Sequence, residues 1–121
     1  MDRLLRSAAG EEVVRLITGR RLVVPALFDA EVFAAVRRAA RRGIVTPERA
    51  RVMLLWTARL VAERRTMTDL LAEAFVLRDR FGPYDVFYVA LARRLGATLV
   101  TTDRPLARSA AGYVEVTYVG A

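Results

Sequence analysis

With 121 residues, 55% of them apolar, and a mean hydropathy of +0.25, the chain is long enough for one domain, spanning residues 1–121, and too apolar to be disordered. Its 20 cationic residues are all arginine, with no lysine, histidine or cysteine, giving a net charge of +7 and a pI near 11.1. Disulfides, imidazole catalysis, thiol nucleophiles, Schiff-base lysines and zinc sites built on sulfur or imidazole are thereby excluded.

Any catalysis falls to carboxylates, hydroxyls, arginines and an oxygen-ligated metal such as Mg²⁺ or Mn²⁺. No apolar run approaches the roughly 20 residues of a membrane helix, and the N-terminus has no signal-peptide pattern, so a cytoplasmic protein without membrane contact is expected. Guanidinium groups bind phosphates in a bidentate fork, which points to RNA or DNA as partner. A coding bias that leaves arginines on solvated helix faces would give the same count.

In chain order, Gly10, Glu11 and Glu12 open a helix with Val13, Val14, Leu16 and Ile17 on its apolar side, closing near Gly19. Leu22, Val23 and Val24 read as a short buried strand halted by Pro25. Asp29 caps a helix to about Arg42, with Val32, Phe33, Val36 and Ala40 on one side and Arg37, Arg38, Arg41 and Arg42 toward its end. Gly43 stops it. Thr46-Pro47-Glu48 starts a helix running to about Arg64, and Thr68-Asp69 another ending near Phe81-Gly82. Pro83 begins the apolar helix Tyr84–Leu95, which Gly96 closes. A strand over residues 97–101, a short helical turn over 104–109 and an alternating edge strand over 114–119 complete the pattern. Strands alternating with helices imply an α/β fold with a parallel sheet between helices.

Three acids fall where such a sheet carries its ligands, beyond the carboxyl ends of the strands. Glu31 lies early in the helix after the first buried strand, Asp85 leads the apolar helix, and Asp103 closes the strand that follows. Twelve helical residues rise about 18 Å and the strand retraces about 16 Å, so Asp85 and Asp103 return to one edge. Each acid also has a plain explanation, as a helix-dipole partner or a cap. Together they are expected to converge within a few ångströms, where carboxylates repel unless a cation lies between them. Thr101 and Thr102 stand where they would hydrogen-bond a ligating carboxylate or fill strand and cap positions. Trp56 fits a core or subunit contact.

Phe28-Asp29-Ala30-Glu31-Val32-Phe33, Thr46-Pro47-Glu48-Arg49-Ala50, Tyr84-Asp85-Val86-Phe87-Tyr88-Val89-Ala90-Leu91-Ala92 and Leu99-Val100-Thr101-Thr102-Asp103-Arg104-Pro105 resemble the PIN-domain ribonucleases, specifically VapC-type toxins of VapBC pairs. The resemblance implies a three-layer α/β/α fold, with Glu31, Asp85 and Asp103 as Mg²⁺ or Mn²⁺ ligands and as catalytic groups. It also implies RNA as substrate, a homodimer and a VapB-like antitoxin. Arginines such as Arg37 and Arg104 would hold flanking phosphates. One departure stands out. Family members begin with an apolar strand ending in Asp, followed by a small residue and Ser or Thr. Met1-Asp2-Arg3-Leu4-Leu5 resembles the helical stretch after that motif, so Asp2 does not inherit the role. The expectation is a shortened chain lacking the family's first central strand and one ligand. A rival reading is a catalytically impaired module that binds RNA or an antitoxin without cleavage. A phosphoacceptor receiver domain ranks low, because the chain has no lysine to serve one.

Overall fold

The computed structural model describes the backbone of residues 3–5 and all of residues 21–120. Five strands form one parallel sheet: β1 (Arg3–Leu5), β2 (Leu22–Pro25), β3 (Glu63–Arg65), β4 (Thr98–Thr101) and β5 (Val116–Tyr118), in the order β3-β2-β1-β4-β5. Between them run helices α1 (Leu27–Arg41), α2 (Pro47–Arg59), α3 (Leu71–Val76), α4 (Asp85–Leu95) and α5 (Arg104–Ala110), with a single 3-10 turn at Thr68–Leu70. The expected α/β class with a parallel sheet covered by helices is what the chain adopts. The helix expected over residues 10–19 lies outside the described residues.

The expectation of an absent central strand is corrected. Arg3–Leu5 occupies the central slot, pairing Leu4 with Val23 of β2 and with Leu99 of β4. Without it, the facing edges of β2 and β4 would leave rows of buried backbone N–H and C=O groups unpaired, and that cost recruits any extended stretch within reach. Two consecutive leucines show no alternation, so the sequence pattern reads equally as helix.

The core lies where α4 crosses β2 and β4. Val23, Val24, Leu99 and Val100 are wholly buried, as are Tyr88, Val89, Ala90 and Ala92 of α4. A helix apolar on nearly all sides has no solvent face to satisfy, so it packs inside. Each large side chain so buried stabilises the fold by about 1.5–3 kcal/mol. Gly96, at φ 62°, ends α4 in the left-handed conformation glycine takes without strain. The chain then reverses directly into β4.

Several element boundaries differ from the sequence reading. The helix expected to reach Arg64 stops at Arg59, and residues 63–65 form edge strand β3, parallel to β2. The single helix expected from Thr68 to Phe81 is divided into the 3-10 turn, the short α3 and a run of turns. Asp29 is not a cap: α1 starts at Leu27 after Ala26, and Asp29 reaches across to Arg64 instead. Thr46 does cap α2, its hydroxyl accepting from the Arg49 N–H at 3.1 Å.

Candidate active site

The strand order reverses beside β1: the chain steps outward through β2 and β3, then returns to β4 on the other side. Ligand sites of open parallel sheets lie at such a reversal, beyond the carboxyl ends of the strands. Asp103 stands there. It follows β4 directly and caps α5, with Oδ1 accepting from the Leu106 N–H at 3.0 Å. Thr101, fully buried, turns the backbone into that position by accepting from the Asp103 N–H at 3.0 Å. Thr101 thus acts on Asp103 through its main chain rather than on the carboxylate. The cap leaves Oδ2 of Asp103 uncommitted.

Asp85 is the first residue of α4, which runs antiparallel to β4, so its N-terminus returns to the same edge. Pro83 and Tyr84, expected inside this helix, form the turn before it. Glu31 lies in the second turn of α1, which springs from the carboxyl end of β2. Its carboxylate meets α4 directly: the Tyr88 hydroxyl donates to Glu31 Oε1 at 2.7 Å. Tyr88 is 0% exposed and lies three residues after Asp85 on α4. That spacing is about 4.5 Å of helical rise, so the bond ties the helix bearing Glu31 to the turn of α4 that follows Asp85. This phenol is a site residue that sequence reasoning did not single out; its hydroxyl amid an otherwise apolar helix was the available signal, since a buried phenol needs a partner.

All three acids therefore border one sheet edge, and one bond ties the first two helices together. Among the described residues, no three Asp or Glu side chains close into a group that would hold a metal ion on its own. As donors, the three carboxylates suit a hard divalent cation, which takes oxygen ligands. The donor chemistry fits, although among the described residues the cage is not closed.

Arg104, expected to hold phosphate, lies with its guanidinium 5.2 Å from the centre of the Tyr118 ring. Trp56 is not core: it is 41% exposed on α2, beside Val52 and Leu55, which are 53% and 45% exposed. Among the described residues, no helix is long and apolar enough to cross a membrane.

The PIN domain family matches residues 3–112 of the chain. Ribonuclease VapC12 of Mycobacterium tuberculosis is 32% identical over 119 residues, which cover 98% of this chain and 92% of that protein. Ribonuclease VapC3 of the same organism is 36% identical over 110 residues, covering 90% and 80%. Ribonuclease VapC9, also from that organism, is 33% identical over 105 residues, covering 87% and 83%. Sequence matches of that extent agree with the α/β fold and its parallel sheet. The chain belongs to the PIN-domain family, in its VapC-type branch.

Proposed function

We propose that this chain is a metal-dependent endoribonuclease, the toxin of a toxin–antitoxin pair, acting in the cytoplasm. The observation that supports the reading is the Tyr88–Glu31 bond, which ties the helix bearing Glu31 to the helix that Asp85 leads. Helix-dipole compensation explains Asp85 alone and capping explains Asp103 alone. Neither explains a buried phenol aimed at a third carboxylate.

Glu31, Asp85 and Asp103 would hold Mg²⁺ or Mn²⁺. Such an ion supplies positive charge and Lewis acidity to a phosphodiester at that edge. The protein's own part is to orient the carboxylates, through Tyr88 for Glu31 and through Thr101 and the α5 cap for Asp103. One carboxylate accepts the proton of the attacking water. The water oxygen bonds to phosphorus as the bond to the leaving ribose oxygen breaks, and that oxygen takes up a proton. Thr102, beside Asp103, is a further candidate for steadying its carboxylate. The exposed Val52, Leu55 and Trp56 on α2 support a homodimer contact, and a VapB-like antitoxin is the partner we assign to the site. The deciding experiment incubates the purified protein with RNA and Mg²⁺, with EDTA as control, beside Asp85→Asn. Cleavage that stops with EDTA or with the substitution supports the reading. Cleavage by Asp85→Asn equal to the parent protein removes Asp85 from the mechanism.

A second reading is favoured by the acidic group that stays unclosed among the described residues: a module that binds RNA or antitoxin without cutting. It predicts RNA affinity retained in EDTA and no cut product under any metal.

A further inference from the structure

Glu31 reaches Tyr88 from α1, so the rotation of that helix about its own axis decides where the carboxylate falls. The start of α1 has little of its own to fix that rotation. Its N-cap is Ala26, whose side chain has no polar atom to cap with. Strand β3 supplies the grip instead. The Ala26 N–H donates to the Arg65 carbonyl at 2.7 Å. In the first turn, Asp29 takes the Arg64 guanidinium in a fork, with Nε donating to Oδ2 and Nη2 to Oδ1, both at 3.0 Å. The same guanidinium is steadied from behind by the Thr57 and Leu60 carbonyls, at 3.0 and 3.1 Å. Glu31 comes two residues after Asp29, about 200° further round the helix. The helix is therefore held from two sides, by β3 through Asp29 and by α4 through Glu31.

Two plain roles fall short of this arrangement. As a first-turn acid, Asp29 offsets the helix dipole, but a carboxylate does that there without any partner. As an ion pair whose side chains are 28% and 51% exposed, Arg64 and Asp29 add little stability. Neither role calls for a planar fork of two bonds, whose particular contribution is direction. We infer that Arg64 is a positioning residue for the acidic edge: through Asp29 it sets the rotation of α1 and so aims Glu31 at the divalent ion. The inference rests on the metal-dependent reading above and adds to it a residue from the outermost strand. The lever is sensitive. A carboxylate about 6 Å from the helix axis moves about 1 Å for a turn of about 10°. A misplacement of that size costs up to about a hundredfold in rate.

The test reads Mn²⁺ binding directly, from the free-ion electron paramagnetic resonance signal, beside Mg²⁺-dependent cleavage of RNA. The proteins are the parent chain, Asp29→Ala, Arg64→Lys, Glu31→Gln and Asp29→Ala/Glu31→Gln, each checked for folding by circular dichroism. Asp29→Ala leaves Arg64 on its two carbonyls, and Arg64→Lys leaves the first-turn acid in place. Each should weaken Mn²⁺ about tenfold or more, the scale for losing a group that orients a ligand. The double variant should bind no more weakly than Glu31→Gln alone, because both changes act through one carboxylate. Parent-like Mn²⁺ affinity in either folded single variant, Asp29→Ala or Arg64→Lys, overturns the inference and leaves the cleavage reading untouched. Losses that add in the double variant overturn it too. A parent chain that binds no Mn²⁺ sinks the metal-dependent reading, and the inference falls with it. One that shows the expected losses yet never cuts RNA removes the cleavage and leaves Arg64 in its role.

Discussion

At the scale of single residues, Asp103 serves two purposes that substitution can separate. Its Oδ1 caps α5, and asparagine caps equally well. Asp103→Asn should therefore melt within a degree or two of the parent while losing about a hundredfold or more in cleavage, the scale set by removing a group that stabilises developing charge. Asp103→Ala should lose the cap as well, at about 1 kcal/mol; paired melting curves and single-turnover cleavage read both. Tyr88→Phe removes the donor to Glu31 Oε1 and keeps the packed ring. It should cost about 1 kcal/mol of stability and about tenfold in cleavage, the range seen when the orienting partner of a ligand is lost. A merely structural Tyr88 would leave the Mg²⁺ concentration for half-maximal cleavage unmoved; an orienting one raises it. The candidate acids could be read from the sequence because each sits beside a local signal: the first turn of an apolar helix for Asp85, and Arg104-Pro105 after a strand for Asp103. The Tyr88 contact could not be, because its partner is 57 residues away.

Among the elements, α4, Gly96 and β4 were legible for the same reason: an all-apolar helix, a left-handed glycine and a β-branched run are encoded within a few residues. Strand β3 was not. Glu63-Arg64-Arg65 has no strand-like pattern, and neighbours hold it in place: Arg21 pairs with Glu63, and β2 supplies its ladder. Arg64 is the clamp. Nε and Nη2 donate to the two oxygens of Asp29 at 3.0 Å each, while Nη1 and Nη2 donate to the Leu60 and Thr57 carbonyls that end α2. One guanidinium thus closes a helix, fastens an edge strand and grips α1, and the Asp29 bond holds it more firmly protonated than an ordinary arginine. Arg64→Ala should cost about 2 kcal/mol, given charge-assisted bonds worth ~1.5–3 kcal/mol each and the discount for partial exposure. Arg64→Lys should recover little of it, because an ammonium cannot reproduce the fork; chemical denaturation reads both. Glu63 supplies a pH dependence. Hydrogen bonding from Arg21 is the main cause that holds its carboxyl below the ordinary 4.5; desolvation opposes it, and the charges of Arg21 and Arg65 add to the lowering. A carboxylate depressed in the folded state stabilises fully above its unfolded pKa and ceases to do so as pH falls through the folded value. Amide exchange in β3 should therefore be flat at neutral pH and quicken as the pH falls below the ordinary 4.5 and through the lowered folded value, with Glu63→Gln abolishing the change.

For the whole molecule, the apolar stripe of Val52, Leu55 and Trp56 is the feature to test. Scattered apolar residues on a surface are ordinary; three on one helix face next to one another are what the proposed homodimer would bury. Trp56→Glu should convert a dimer to a monomer in sedimentation equilibrium with the melting temperature little changed, whereas a monomeric parent chain would dispose of the homodimer. The plan of a parallel sheet with an acidic edge followed from the alternation of strands and helices. The central position of Arg3–Leu5 did not, because only the sheet's need for a partner puts it there.

The phenol of Tyr88 has a mechanical consequence for control. Two of the three acids ride on helices pinned to each other through a group sunk in the interior, so their separation is as stiff as the core itself. Prying them apart would mean unpacking the centre of the protein, at a cost of many contacts. An inhibitor of this edge gains far more by plugging it than by bending it. Switching such a protein off would therefore be a matter of occupying the edge rather than deforming it.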